Sequence, residues 1–372
     1  MSALSFTLEL DGAPAPAPVL AALQRIEVED HAELADMLRL RFALGVQERA
    51  SGWTLLDEDY FPRLANLKVK VQLGRGSAQL LANAYVIETR AELANSPGQS
   101  ALEVVAMDPT VLMNLDEKVK AWPNMADSDI ASAVFADYGF AAEVESTRLR
   151  REERNQTVLQ RGTDIRFLKQ LALRNGFECY VDTDERSGTV TGHFHPPRLR
   201  DEPQGVLAVN LGEATNINRL RTRFEMLRPA QAQVTGLEVD SGQAQPVQAS
   251  EASRTSLGRS RAASADRPRR VLLARTGMAG SAELQAYAQA VVDSSAMAIA
   301  AEGELNTAAY GALLKARRTV ALRGAGQRFS GVYYVDKVVH VLDGGGHLQR
   351  FYLRRNALGL TGSENFADQE AA

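Results

Sequence analysis

The sequence has little cysteine and no long apolar run. Its 372 residues include one cysteine, Cys179, which excludes an intrachain disulfide and indicates folding in a reducing cytoplasm. Cys179 lies among alternating apolar residues, where we expect a buried, unreactive thiol. No run approaches the roughly 18–20 apolar residues of a membrane span, and the N-terminus lacks a signal-peptide pattern. We therefore expect cytoplasmic synthesis, no membrane insertion, and release from a cell only inside a larger particle.

Strong charge of one sign is also missing. The formal net charge is −4, from 42 basic and 46 acidic residues. This balance argues against a general nucleic-acid-binding protein, which usually presents a strongly basic face, so no nucleic-acid specificity is expected. Apolar residues make up 45% of the chain and charged residues 24%, which is typical of a folded domain.

Motifs for catalysis are absent too. The chain has no HExxH zinc motif, no Walker loop, no G-x-S-x-G and no dinucleotide fingerprint. His193 and His195 could place two imidazoles on one face of a strand, but without an obvious third ligand a strand-end pair is the plainer interpretation. The other histidines stand alone, and the glycines at 324–326 and 344–346 indicate turns between strands. We predict no enzyme activity, no cofactor, and no catalytic, cofactor-binding or metal-binding residues.

The length and the hydrophobic patterning divide the chain into three parts. A chain longer than about 250–300 residues is expected to form more than one domain. Strand-like alternation dominates the first and last parts, whereas the middle contains helical patterns that end in glycine. The sequence predicts an α+β fold, mostly β, in which two barrel-like tube domains flank a mixed α/β middle region. The predicted units are 1–112, 113–205, and 206–360 with a long loop at 241–270 and a helix at 281–302, followed by a polar tail at 361–372.

Two features leave a choice between a structural and a binding role. The segment 241–270 contains six arginines and two acidic residues, for a local charge of +4. Its composition favours an exposed flexible loop, and the alternative is a loop that becomes ordered against an acidic partner subunit. Trp53 and Trp122 fit either interface anchors or core residues.

The most informative segment is 157–182, which reads TVLQRGTDIRFLKQLALRNGFECYVD. Thr163 is a suitable N-cap, with Asp164 in the first turn, where a carboxylate suits the positive end of the helix dipole. Gly176 is placed to end the helix. Alternation after Gly176 predicts a half-buried strand with Phe177, Cys179 and Val181 inward. The apolar face of the predicted helix consists of Ile165, Leu168, Leu171 and Ala172.

This segment resembles the phage late-control D proteins, the baseplate hubs of contractile tails, and the hub half of the VgrG spike proteins of type VI secretion. Arg161 and Gly162 replace residues that are often Glu or Asn there, so the match is one of pattern and not of identity. The order of strands, mixed α/β region and strands extends the resemblance over most of the chain. The matching positions are Gln160, Thr163, Asp164, Phe167, Leu168, Leu171, Ala172, Gly176 and Tyr180.

The resemblance implies a structural baseplate hub in a phage tail or a phage tail-like injection particle. In such hubs three copies contribute six barrel-like domains, so that the ring fits a hexameric tube on one face and a trimeric spike on the other. The implied partners are two further copies of this chain, a trimeric spike protein, a hexameric inner tube protein and other baseplate subunits. We expect the spike to be a separate polypeptide.

Two alternative functions are compatible with the strand content. A tail-associated cell-wall hydrolase would need a pair of acidic residues or a metal site in a cleft. A stand-alone β-rich binding module should be monomeric and should not assemble with a tube protein.

Overall fold

Strands account for 46% of the structure and helices for 18%, which confirms an α+β fold that is mostly β. Among the described residues, thirteen strands join one sheet, and smaller sheets of two or three strands surround it. The computed structural model describes residues 4–46, 52–96, 98–147, 149–151, 153, 157–185, 187–237, 242–263, 268–274 and 280–366.

The first part of the chain is built from strands with one buried face. Its elements are β1 (Leu4–Leu10), β2 (Ala13–Pro14), α1 (Ala17–Ala22), β3 (Leu23–His31), β4 (Met37–Ala43), β5 (Asn66–Leu73), β6 (Gln79–Glu92) and β7 (Ala101–Met107). In β4, Leu38, Leu40 and Phe42 are fully buried, whereas Arg39 and Arg41 lie on the wetter face. The alternation in the sequence therefore sets which face of the sheet covers the core.

The middle part places two helices against small sheets. Its elements are a 3₁₀ helix at Pro109–Asn114, β8 (Glu117–Trp122), α2 (Asp127–Asp137), β9 (Ala141–Val144), β10 (Val158–Thr163), α3 (Asp164–Asn175), β11 (Glu178–Thr183) and β12 (Val190–His195). Strand β8 pairs with β10, and β12 lies between β11 and β9. Phe135 of α2, Leu168 of α3 and Phe194 of β12 meet in one hydrophobic core.

Helix α3 begins and ends where the sequence predicts. Thr163 occupies the N-cap position, although its hydroxyl donates to Asn114 at 2.8 Å and does not cap the helix. Gly176 adopts a left-handed φ of 66°, which a glycine accommodates without steric cost. The predicted apolar face is buried as expected.

The third part contains a second set of long strands and the longest helix. Its elements are β13 (Val206–Ala208), a 3₁₀ helix at Gly212–Ala214, β14 (Ile217–Phe224), β15 (Ala230–Leu237), β16 (Ala244–Ala249), β17 (Ser260–Arg261), β18 (Arg269–Ala274), α4 (Ser281–Ala296), β19 (Ile299–Asn306), α5 (Thr307–Tyr310), β20 (Thr319–Arg323), α6 (Gly326–Phe329), β21 (Gly331–Asp343), β22 (Gly346–Arg355) and β23 (Ala357–Leu358). Helix α4 packs on β15 and β16.

The first and third parts are joined within one sheet. Strand β3 pairs antiparallel with β21, in register from His31 opposite Lys337 to Arg25 opposite Asp343. The strand order is β14-β19-β22-β21-β3-β4-β7-β6-β5-β1-β2. Off this path, β20 pairs with β21, and β13 pairs with β20. Each half of this sheet covers a hydrophobic core of its own.

Two predictions about the third part need correction. Residues 244–249, 260–261 and 269–270 lie inside the predicted loop, yet they belong to β16, β17 and β18. Strand β16 pairs with β15 beneath α4. The predicted helix 281–302 ends at Ala296, because Ile299–Asn306 pairs with strands on both sides as β19. The end of the predicted polar tail, 367–372, lies outside the described residues.

Candidate functional site

Arg317 lies where the two halves of the large sheet meet the middle part of the chain. Its guanidinium donates to Asp30 of β3 at 2.5 Å and to Asp36, just before β4, at 2.8 Å. The same guanidinium lies over the ring of Tyr180 on β11, 4.5 Å from the ring centre. One partly buried cation thus contacts all three parts. We call Arg317, Asp30, Asp36, Asp108 and Tyr180 the Arg317 junction.

The backbone at Arg317 is held by the same surroundings. Its φ of 62° falls in the left-handed region, which is costly for a residue with a β-carbon. Asp30 accepts a hydrogen bond from the backbone nitrogen of Ala316 at 2.7 Å, and the backbone nitrogen of Arg317 donates to the carbonyl oxygen of Val335 at 3.0 Å. The junction therefore stabilises both the side chain and the strained backbone of this loop.

Carboxyl groups outnumber cations in the Arg317 junction. Asp108 accepts hydrogen bonds from the backbone nitrogens of Asp36 at 2.7 Å and Thr110 at 2.8 Å. Burial raises the pKa of Asp36 to about 7, although Arg317 opposes the shift, and burial also raises the pKa of Asp108. Burial disfavours the charge of Arg317 as well, but Asp36 and Asp30 outweigh it and raise its pKa. Three carboxyl groups thus compete for one guanidinium.

The first four residues of strand β11 are buried on both faces next to this junction, contrary to the prediction of a half-buried strand. Cys179 and Val181 are buried as predicted, but Glu178 and Tyr180 are buried too. The second face is covered because Tyr334 of β21 packs there and donates its hydroxyl to Glu178 at 2.7 Å. Burial raises the pKa of the Cys179 thiol to about 12, which disfavours the reactive thiolate form.

A second buried charge cluster joins three helices. Arg151 donates to Asp127, at the start of α2, at 2.6 Å and to Glu283, in the first turn of α4, at 2.7 Å. Arg174, near the end of α3, donates to Asp127 at 2.7 Å. Burial acts to raise the pKa of Asp127, but the bonds and charges of Arg174 and Arg151 outweigh it and lower that pKa. We call these four residues the helix network, in which two cations balance two anions.

The residues that carry the family resemblance have identifiable structural roles. Gln160 of β10 accepts from the indole nitrogen of Trp122 at 3.0 Å and donates to Asp164 at 2.6 Å. Asp164 also accepts from Lys118 at 2.5 Å and Tyr138 at 2.6 Å. Burial acts to raise the pKa of Asp164, but these hydrogen bonds outweigh it and lower the pKa. The pattern therefore fixes the start of α3 against the β8–β10 pair.

Four of the five histidines form two pairs. His193 stacks on Tyr180 at 4.4 Å, with its Nε2 3.0 Å from Asp182, and His195 lies 5.7 Å from His193, ring centre to ring centre. The sequence suggested that His340 and His347 stand alone, but they form a pair. The Nδ1 atom of His340 lies 3.2 Å from the Nε2 atom of His347. Burial lowers the pKa of His340 to about 4, so this pair is uncharged at neutral pH.

A polar cavity of about 810 Å³ opens beside the Arg317 junction. Its wall carries both signs of charge, including Asp182, Glu185 and Lys315. Within the described ranges, no group of three or more His, Cys, Asp or Glu side chains is arranged to hold a metal ion. In the same part of the chain, no helix has the length and apolar character needed to cross a membrane.

Of the candidate binding residues from the sequence, the two tryptophans and Arg254 pack against the molecule, whereas Arg259, Arg261, Arg269 and Arg270 are exposed. Trp122 is buried and stacks with Phe167 at 6.5 Å, and Trp53 is partly buried against the first core. Arg254, in the basic segment, lies 3.7 Å from Asp293 of α4 and bonds to the carbonyl oxygen of Gly176. Arg267, in the same segment, lies outside the described residues. Sequence reasoning missed the Arg317 junction, whose members lie far apart in the chain.

Comparison with known proteins places this fold in a family. The family described as the Alg8 N-terminal domain matches residues 5–343. The chain belongs to this family. No curated protein matches the sequence significantly.

Solved structures share the fold of this Alg8 N-terminal domain protein over nearly its whole length. The 43 kDa tail protein of prophage MuSo2 from Shewanella oneidensis is 14% identical, with a TM-score of 0.68 over 95% of this chain and 98% of its own. A tail protein from Neisseria meningitidis is 12% identical, with a TM-score of 0.66 over 95% and 96%. A type VI secretion component from E. coli is 11% identical, with a TM-score of 0.58 over 98% and 79%. At these identities the likeness establishes a phage tail-like fold.

Proposed function

We propose that the protein is a structural baseplate hub of the late-control D and VgrG type, and that it is not an enzyme. One observation carries the proposal: the fold matches tail proteins from two sources over 95% of this chain. The type VI secretion component with the same fold is described as similar in structure to the bacteriophage T4 tail proteins gp27 and gp5. We infer the same kind of role here, as a trimeric adaptor between a trimeric spike and a hexameric inner tube.

The large sheet supports a pseudo-sixfold arrangement. Its two halves, each with its own core, meet edge to edge at β3 and β21. Three copies would present six such halves, which suits a hexameric tube on one face, while the middle parts would keep threefold symmetry for a spike. In this proposal 1–112 and 206–360 act as tube domains, and 113–205 forms the region between them.

Open strand edges support contacts between copies. Among the described residues, β14 pairs with β19 alone, and residues 88–92 of β6 pair with β7 alone. Open edges of this kind are normally covered or blunted, because they invite pairing with another chain. The side chain of Ile87, beside the open part of β6, is 41% exposed. We propose that neighbouring copies cover these edges in the ring.

Analytical ultracentrifugation of the purified chain tests this arrangement. We expect a trimer, alone or with the spike protein, and we expect Ile87→Glu to weaken it, because a charge would be buried at the interface. Leu173→Glu is the matched control, since Leu173 is 63% exposed and lies on α3, not on a strand of the large sheet. A monomer under both conditions, or equal weakening by both variants, would count against the proposal.

A further inference from the structure

The carboxyl group of Glu178 has an unusual partner. Both of its oxygens lie 2.7 Å from the single hydroxyl oxygen of Tyr334. Glu178 is on β11 in the middle part of the chain, and Tyr334 is on β21 of the large sheet. Both residues are buried. This contact therefore links two parts of the molecule through one acid and one phenol.

The geometry fits a protonated acid better than a carboxylate. A phenol has one hydrogen to donate, so it fully satisfies only one oxygen of a carboxylate. If Glu178 carries a proton, Tyr334 donates to one oxygen and the protonated oxygen donates back to Tyr334. Two short bonds then form between the same pair of side chains, and no buried charge is left without a partner.

The charged neighbours do not supply a close counterion. None of the ion pairs within 4.0 Å that the described residues form includes Glu178. The two cations that act to lower its pKa bind other acids: Arg317 pairs with Asp30 and Asp36, and Arg254 with Asp293. Burial, which raises the pKa of Glu178 to about 7, outweighs the opposing effects of Tyr334, Arg317 and Arg254. Glu33, in the turn after β3, adds to the rise. The side chain opposite Glu178 on β12 is His195, whose own pKa is lowered by burial.

We propose that Glu178 and Tyr334 form a proton-operated joint between the middle part of the chain and the large sheet. The joint is closed while Glu178 holds its proton. Loss of the proton places a negative charge between β11 and β21 with one donor for two oxygens, and the contact opens. The inference concerns the fold of a single chain and holds whether or not the protein assembles as a hub.

The sign of the pH effect follows from linkage. The ordinary pKa of a glutamate is 4.5, and the folded protein raises that of Glu178 to about 7, so the folded state binds this proton more tightly. The resulting stability is fully present below the ordinary pKa and is lost as the pH rises through about 7. Between these values one such proton changes the unfolding equilibrium constant by up to about tenfold per pH unit.

Urea denaturation between pH 5 and 8 tests the joint with Glu178→Gln. Glutamine keeps the shape of the protonated acid and offers one donor and one acceptor to Tyr334, but it does not titrate. We expect the unfolding constant of the wild type to rise more steeply with pH than that of the variant, by up to about tenfold per unit. Glu202→Gln, at an exposed carboxyl, should keep the wild-type slope. Equal slopes for the wild type and Glu178→Gln would overturn the proposal.

Hydrogen exchange in the unaltered protein gives a second test that needs no variant. After correction for intrinsic rates, amides of β11 should lose more protection than amides of β5 when the pH rises from 6 to 8. Equal changes in β11 and β5 would contradict the joint.

Discussion

The Arg317 junction and the helix network both link distant segments through arginine–carboxylate contacts, but they differ in the balance of charges. Both bury arginines between segments that are distant in the chain. The helix network sets Arg151 and Arg174 against Asp127 and Glu283, so its charges cancel. The Arg317 junction sets one guanidinium against Asp30 and Asp36, with Asp108 hydrogen-bonded behind them.

This difference in charge balance determines how the stability of each cluster depends on pH. In the balanced network the arginines hold the pKa of Asp127 below its usual value despite burial. In the acid-rich junction burial dominates and raises the pKa of Asp36 to about 7. A balanced cluster should therefore strengthen as the pH rises from acid, whereas an acid-rich cluster should weaken as the pH rises towards neutral.

The largest expected effect comes from removing the cation of the acid-rich junction. Arg317→Met leaves two partly buried carboxyl groups without a counterion, and we expect a loss of about 3–5 kcal/mol in the free energy of unfolding. Chemical denaturation at pH 7 measures this loss. Arg90→Met is the control, because Arg90 forms an exposed ion pair with Glu88 and should have no measurable effect. A loss no larger than the control's would show that the junction does not stabilise the fold.

Removing a cation from the balanced network should cost less. In Arg151→Met, Arg174 still bonds to Asp127 and lies 3.4 Å from Glu283, so each acid keeps one partner. We expect a loss of about 2–3 kcal/mol by the same measurement. If Arg151→Met costs more than Arg317→Met, the comparison between the two clusters is wrong.

A smaller effect is expected where the contacts are hydrogen bonds centred on a neutral side chain. Gln160→Leu removes the bonds that Gln160 makes to Trp122 and Asp164, and should lower the free energy of unfolding by about 1–2 kcal/mol. Leu159→Gln, on the exposed face of the same strand, should be close to neutral. Similar losses in the free energy of unfolding for both variants would show that the hydrogen bonds of Gln160 do not stabilise the fold.

The last effect, measured as a change in stability per pH unit, separates the two clusters most sharply. In the wild type, the free energy of unfolding should fall by up to about 1.4 kcal/mol per pH unit as the pH rises towards 7, because the raised pKa of Asp36 favours the protonated folded state. Asp36→Asn should reduce this slope, since asparagine does not titrate. Asp127→Asn should destabilise at neutral pH, with the difference vanishing as the pH falls below the ordinary aspartate pKa of 3.8. Urea titrations at several pH values distinguish the two, and parallel slopes would refute the contrast.

The sequence predicts the local elements well because their causes are local. Helix α3 has its N-cap position, apolar face and terminal glycine within a short segment, and all three lie where expected. The alternating strands of the first part are equally local. The resemblance through Gln160 and Asp164 also rests on neighbours, since these residues bond to each other at i and i+4.

What the sequence missed depends on distant partners. Glu178 and Tyr334 are 156 positions apart, and Arg317 and Asp30 are 287 apart, so no periodicity reveals their contacts. Strand β16, which contains Pro246, lies in a segment whose overall composition favours a loop. Proline is tolerated there because β16 lies at the edge of its sheet, and α4 covers one face.

The most direct test of the proposed function is a set of negative-stain class averages of the purified chain with its spike protein and inner tube protein. We predict a threefold ring with six peripheral lobes that binds the tube on one face and the spike on the other. Single lobed particles that bind neither protein would contradict the hub, and would leave the tail-protein likeness as one of fold alone.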